Sequence, residues 1–397
     1  MLSPQYEQYK QAFKCIEMPF AYINLDLLDA NLKAISVAAG SKKIRVATKS
    51  IRCVEILKRI MNADQVFQGL MCFTVREATF LLKHGFDDIL LGYPTWDEKG
   101  ITDLLLQAGD KRLVTFMVDS LHHVERLQKI ADQCKCRVRI CLDIDMSVNY
   151  PFLHFGVRRS PIASWEKTKP IVERIIECRS LILVGIMGYE AQIAGVGDQV
   201  EGQWIKNQFI KGLKRNSIRE VARRRAEILQ GISMLGVQLE FVNAGGTGSL
   251  DSSCLEEGIS EITVGSGFYS PALFDNYSNF KYLPAVGYAV EVVRKPTQHI
   301  VTCLGGGYIG SGAVGADKLP TPHLPTGLKL ILQEGAGEVQ TPLQCPKEIN
   351  LDIGDPIFFR HAKAGELCER FSKLYALADN IIVAEYSTYR GEGECFL

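Results

Sequence analysis

Lys49 lies in the stretch KIRVATKSIRC, residues 43–53. Ile44, Val46 and Thr48 alternate with other residues, as a pleated strand requires. Ser50 offers an N-cap for a helix carrying Ile51, Val54 and Leu57. The lysine therefore stands where a strand ends. Alone it would read as a solvated cation. Two glycine-rich turns change that reading: NAGGTGSL at 243–250 and VGSGFYS at 264–270, each after a strand-like run. Gly246, Gly248 and Gly267 let backbone N–H groups approach one oxyanion with no Cβ in the way, and Thr247 and Ser266 add hydroxyl donors. A nucleophilic amine and an anion cradle are the parts of a site that holds a phosphorylated carbonyl compound.

Those parts need a scaffold that brings them together. Strand-like runs occur at 20–25, 43–48, 65–71, 88–93, 113–118, 137–144, 181–189, 239–245 and 261–267. Helical patterns lie between them, such as VREATFLLKHG at 75–85 and the long segment at 205–232. This alternation predicts a parallel sheet with helical crossovers. If the first run belongs elsewhere, eight remain, and a closed eight-stranded barrel sets the first of them beside the last. Phosphate sites in such barrels lie in the loops after strands seven and eight. Lys49 then faces the cradle across the barrel mouth, the arrangement that holds pyridoxal 5'-phosphate as a Schiff base. From residue 281 the texture changes to short strand-like runs broken by Gly and Pro, which predicts an antiparallel β domain, with a final helix over AGELCERFSKL at 364–374.

Composition limits the alternatives. The chain has 397 residues, enough for two domains, and 47% are apolar. Lys and Arg number 45, as do Asp and Glu, which gives no electrostatic footprint for nucleic acid. No apolar run is long enough for a membrane span, and the polar N-terminus lacks a signal-peptide core, so a cytoplasmic location is expected. The 12 cysteines are scattered, with Cys134 and Cys136 the only close pair, so free thiols are expected.

The chain resembles the fold-type III pyridoxal-phosphate enzymes, the alanine racemase and D-threonine aldolase group. Within it, the resemblance is closest to bacterial proteins described as amino acid deaminase/aldolase. The motifs that carry it are VATKS, FTVREA at 73–78, DILLGYP at 88–94, the H-x-G-V-R turn at 154–158, GIMGYEAQ at 185–192, NAGGTGS and VGSGFYSPALFD. The resemblance implies a (β/α)8 barrel over 26–280, a C-terminal β domain over 281–397, and an N-terminal segment, 1–25, whose strand joins that domain. It implies a homodimer acting on a small amino acid, a D- or β-hydroxy amino acid being the expected class. It also implies roles: Tyr189 facing the cofactor ring, with Glu190 beside it as rim charge, and Thr263 at the pyridine nitrogen. Tyr308 is a candidate second base from the partner subunit. His154 stands where the family commonly has an arginine; a histidine there is a catalytic candidate, able to donate a hydrogen bond or act as acid or base near neutral pH, and Arg158 or Arg159 is left to bind the substrate carboxylate. His361 matches a metal ligand of some relatives, but Lys363 replaces the second ligand and Cys368 is a poor substitute, so no metal is expected. The expected activity is a D-threonine aldolase-like lyase or deaminase. An alanine racemase-type activity is the first alternative, and a non-catalytic pyridoxal-phosphate carrier the second.

Overall fold

A computed structural model describes residues 2–109, 111–313 and 315–397. The chain opens with a helix over Pro4–Ala12, which the sequence pattern did not reveal. Strand β1 (Phe20–Asn24) follows. Then come β2 (Lys43–Ala47), β3 (Phe67–Cys72), β4 (Ile89–Leu91), β5 (Val114–Val118) and β6 (Val138–Asp143). A hairpin, β7 (Val148–Tyr150) and β8 (Leu153–Phe155), precedes β9 (Leu181–Gly188), β10 (Phe241–Ala244) and β11 (Glu261–Val264). The C-terminal part holds β12 (Val286–Thr297), β13 (Ile300–Leu304), β14 (Thr321–Leu324), β15 (Lys329–Leu330), β16 (Gln340–Gln344), β17 (Pro356–Arg360), β18 (Lys373–Ala378) and β19 (Ile381–Ser387).

Strands β2 to β6 and β9 to β11 form the closed parallel barrel, with β11 beside β2. Val264 pairs with Val46, so the two strands end at the same height. β1 stands apart. It pairs antiparallel with β12 and parallel with β18, and so is part of the C-terminal sheet. The predicted helices occupy Val75–Lys83 and Trp204–Met234, close to the expected bounds.

Inside the barrel the packing divides in two. Leu90, Met117, Cys141, Val184, Met187 and Phe241 form an apolar plug. Beside it runs a polar column. Arg45 Nε donates to Glu261 at 2.7 Å, and Arg45 also reaches Asp88 at 3.1 Å. Asn243 Nδ2 donates to Glu261 at 2.9 Å and to Thr263 Oγ1 at 2.8 Å. Burial of an ion costs several kcal/mol unless such partners are in place. All four residues other than Asp88 are buried, and each has them.

Two expectations at the element level need correction. The segment expected as a helix over 364–374 contains only a short 3-10 turn, Glu366–Glu369, and then enters β18. Leu374 pairs with Ala21 of β1, and that sheet pairing overrides the local helical spacing. Ser50 does not cap a helix either. Lys49 and Ser50 lie in a 3-10 turn, Thr48–Ser50, and the helix begins at Val54. The Ser50 hydroxyl instead meets that of Ser266 at 3.3 Å. None of the 12 cysteines forms a disulfide. Among the described residues no helix is long and apolar enough to cross a membrane.

Candidate active site

The turn after β2 presents Lys49 to a cavity of about 710 Å³ at the barrel mouth. Gly246, Thr247, Thr263, Ser266, Tyr189 and His154 line the same cavity. The structure thus brings together Lys49 and six other residues expected at the site. Gly248 and Gly267 sit behind the lining and shape it. A Cβ on Gly248 would run into the Ala194 carbonyl oxygen and come within 2.8 Å of the Tyr277 ring. The Gly267 N–H donates to Thr247 Oγ1 at 3.0 Å, which ties the two glycine-rich turns to each other. Tyr308 lies elsewhere in the chain, in an adjoining chamber of the C-terminal domain, edge-on to Tyr288 and Phe371.

The glycine loop after β10 is held from below. Glu190 is 2% exposed, so it is not the rim charge expected from sequence. Its Oε2 accepts the Gly245 N–H at 2.8 Å, and its Oε1 pairs with Arg225. Arg225 is fully buried and also reaches Glu256 at 2.5 Å. Gly245 adopts φ +70°, a left-handed conformation in which a side chain is strained. These bonds fix the turn so that Thr247 begins a 3-10 turn at the cavity wall. Ser266 likewise begins the short helix after β11. The first N–H groups of a helical turn have no carbonyl within the turn to donate to. Those amides, with the Thr247 and Ser266 hydroxyls, form an uncharged donor set with the chemistry a phosphate needs. A Cβ on Gly246 would press at 3.1 Å on Ala194 and 3.2 Å on the Tyr189 ring, so the space is kept by the absence of side chains. The residues fit a phosphate-bearing ring cofactor.

Two groups at the mouth, Tyr93 and Asn243, were not assigned a role from sequence. Lys49 Nζ donates to the Tyr93 hydroxyl oxygen at 2.7 Å. The Arg159 guanidinium lies 5.9 Å from the Tyr93 ring centre and 5.8 Å from that of Tyr189. Of the two arginines considered for carboxylate binding, Arg159 lines the cavity. Asn243 holds the Thr263 hydroxyl, which donates back to Asn243 Oδ1 at 3.0 Å. His154 is fixed in the β7–β8 hairpin, with Nδ1 at 2.7 Å from Asn149 Oδ1 and Nε2 at 3.4 Å from the Val157 carbonyl. Burial raises the Tyr189 phenol above its ordinary pKa.

The wall opposite the barrel belongs to the C-terminal domain. Ser311, Lys363, Ala364 and Glu366 line the cavity there. Lys363 Nζ donates to Ser311 Oγ at 3.1 Å and stands 4.0 Å from Glu366. His361 is buried, and burial drives its pKa down to about 3. Among the described residues no group of three His, Cys, Asp or Glu side chains could hold a metal ion. A protonated lysine cannot complete a site begun by His361, so these residues do not fit a metal centre.

A closed parallel barrel with a lysine at one strand end, glycine turns after the last two strands and an antiparallel sheet against its mouth is the architecture of the fold-type III pyridoxal-phosphate enzymes. The chain belongs to the family described as alanine racemase, N-terminal domain, whose sequence pattern matches residues 23–248; pyridoxal phosphate is the cofactor of this family. Solved structures agree in fold. D-threonine aldolase from Filomicrobium marinum superposes with a TM-score of 0.81 at 16% identity, covering 95% of this chain and 96% of that one. D-threo-3-hydroxyaspartate dehydratase from Delftia sp. HT23 gives 0.76 at 14% identity, covering 95% and 98%. Alanine racemase from Clostridium difficile 630 gives 0.63 at 16% identity, covering 94% and 99%. No curated protein sequence matches the chain.

Proposed function

We propose that the protein is a pyridoxal-phosphate lyase of the D-threonine aldolase type, acting on a small D- or β-hydroxy amino acid. The observation that carries the reading is Lys49 Nζ in one cavity with the two glycine turns and Thr263. In this reading Lys49 binds the cofactor covalently. The turns at Gly246, Thr247, Gly248, Ser266 and Gly267 receive its phosphate. Neither turn holds a lysine or arginine, so amide and hydroxyl donors neutralise the phosphate. Tyr189 covers the ring, and Thr263, a neutral hydroxyl already bonded to Asn243, meets its nitrogen. Bound pyridoxal phosphate supplies a sink for the electron pair released at Cα. Arg159 orients the substrate carboxylate, a charge-assisted contact that its place beside Tyr93 and Tyr189 supports. Lys49 moves a proton at Cα.

The non-catalytic carrier reading is disfavoured by the C-terminal wall. Ser311, Lys363 and Glu366 enclose the side of the cavity away from the barrel, which a carrier has no need to cover. The racemase reading needs bases on both faces of Cα, and the second would have to be Tyr308 of a partner subunit, since Tyr308 of the same chain lies outside this cavity. A homodimer is part of the proposal, on the ground of the family resemblance.

Incubation with each threonine enantiomer should yield glycine and acetaldehyde from one of them. Interconversion of alanine or serine enantiomers, with solvent deuterium entering at Cα and no fragmentation, would replace the lyase reading by the racemase one. Prolonged chelation should leave the activity unchanged, because Lys363 stands where a second metal ligand is needed. Loss on chelation with recovery on zinc or manganese would refute the metal-independent reading.

A further inference from the structure

Tyr93 follows β4 at the barrel mouth, as Lys49 follows β2. The two side chains meet at 2.7 Å, with the lysine as donor. Four groups from different elements face this phenol. Lys49 comes from the turn after β2, Arg159 from the loop after β8, Asp143 from the end of β6 and Tyr189 from the end of β9. Burial raises the phenol's pKa and Asp143 adds to that, but the two cations outweigh both and leave it below its ordinary value. The other candidates expected from sequence are placed less favourably for this role. His154 is tied to Asn149 within the β7–β8 hairpin, burial raises the Tyr189 phenol's pKa, and Tyr308 of the same chain lies in the next chamber.

We propose that Tyr93 is the acid–base residue for the substrate's β-oxygen, and that Lys49 is the station through which its proton reaches Cα. The inference rests on the reading of Lys49 given above and names the group that the lyase chemistry still lacked. The Tyr93 phenolate oxygen takes the proton of the β-hydroxyl. The substrate O–H bond breaks, a phenol O–H bond forms, the Cα–Cβ bond breaks, and β-carbon and oxygen leave as an aldehyde. The bond's electron pair stays at Cα. The Lys49 ammonium then gives a proton to Cα, one N–H bond being exchanged for one C–H bond. The phenol proton crosses the 2.7 Å gap to Nζ and restores the starting pair. One proton has moved from oxygen to carbon, and no oxidant, reductant or metal is consumed. Because Tyr93 and Lys49 are bonded to each other, both transfers occur on one side of the substrate. That suits fragmentation and not racemisation.

The test uses the full chain labelled with 13Cζ-tyrosine, in the wild type and in Tyr93→Phe and Arg159→Gln, titrated free of cofactor, where Lys49 is the free amine that faces Tyr93, and assayed for turnover as the holoenzyme. The resonance missing from Tyr93→Phe should titrate below the ordinary phenol value of 10.0 in the wild type, and higher in Arg159→Gln, where one cation is gone. On the cleaved threonine enantiomer, Tyr93→Phe should lower kcat by roughly 10²–10⁴-fold, the scale of a positioned acid–base group. It should also remove the limb of the pH profile that rises as the phenol ionises, while KM stays within about threefold, since the ring remains. Borohydride should still fix the cofactor on Lys49 in Tyr93→Phe. A Tyr93 resonance titrating at or above 10.0, or a kcat within threefold of wild type, overturns the proposal. A cofactor label on another lysine of the wild type overturns the parent reading instead, and this inference with it. Label on Lys49 with neither threonine enantiomer cleaved overturns the β-oxygen role alone.

Discussion

Lys49→Ala should abolish covalent cofactor capture and reduce turnover by at least roughly 10³–10⁴-fold, the loss expected when a positioned base is removed. The fold should survive, because Lys49 is exposed to the cavity and its one side-chain bond is to Tyr93. The backbone there does the structural work. The Lys49 carbonyl accepts from Arg52 Nε at 2.9 Å, and Gly365 packs against it so closely that no Cβ fits. Alanine preserves both contacts. Purified Lys49→Ala should lack the absorbance of the wild-type holoenzyme and should melt near the wild-type temperature. Normal colour and turnover in the variant would place the amine elsewhere.

Gly248→Val should weaken cofactor affinity by about 100-fold or more, roughly 2.7 kcal/mol. The cause is displacement of the loop rather than occupation of the cavity. A side chain at 248 would strike the Ala194 carbonyl and the Tyr277 ring, and both are fixed: the Tyr277 hydroxyl donates to that same carbonyl at 3.1 Å. The loop must then shift, and the Thr247 amide and hydroxyl shift with it. Equilibrium titration of the cofactor-free chain with pyridoxal phosphate measures the effect. Wild-type affinity in Gly248→Val would mean that the phosphate is not held by this turn.

Much of this arrangement is legible in the sequence because a parallel barrel advertises itself. Its strands are buried on both faces, so they read as unbroken apolar runs such as LILVGIMG. Glycines after the last two of them mark the cradle proposed for the phosphate, and Lys49 marks the first strand end. The same rule could have found Tyr93: it closes DILLGYP, and residues just beyond the C-terminal ends of barrel strands face the mouth. What sequence does not reveal is convergence between distant segments. Glu190 meets Gly245 and Arg225 only after the crossover from β9 through the helix Trp204–Met234 to β10 has placed their elements side by side, so its burial has no local signature. Asn243 is an ordinary strand residue until Thr263 and Glu261 of the neighbouring strand stand beside it. Ser50 looks like a cap because its neighbours have helical spacing. Arg52, at φ +53°, interrupts the path before the helix can start. The β18 segment misleads in the same way: Leu367, Phe371 and Leu374 have helical spacing, and only the long-range partner β1 decides against it.

The central claim is that Lys49 is the residue that carries the cofactor. The most direct test is borohydride reduction of the holoenzyme, followed by proteolysis and mass spectrometry of the modified peptide. The account predicts one reduced pyridoxyl adduct per chain, on Lys49 of the segment VATKSIR. An adduct on any other lysine, Lys363 included, or no adduct on a protein saturated with pyridoxal phosphate, would contradict it.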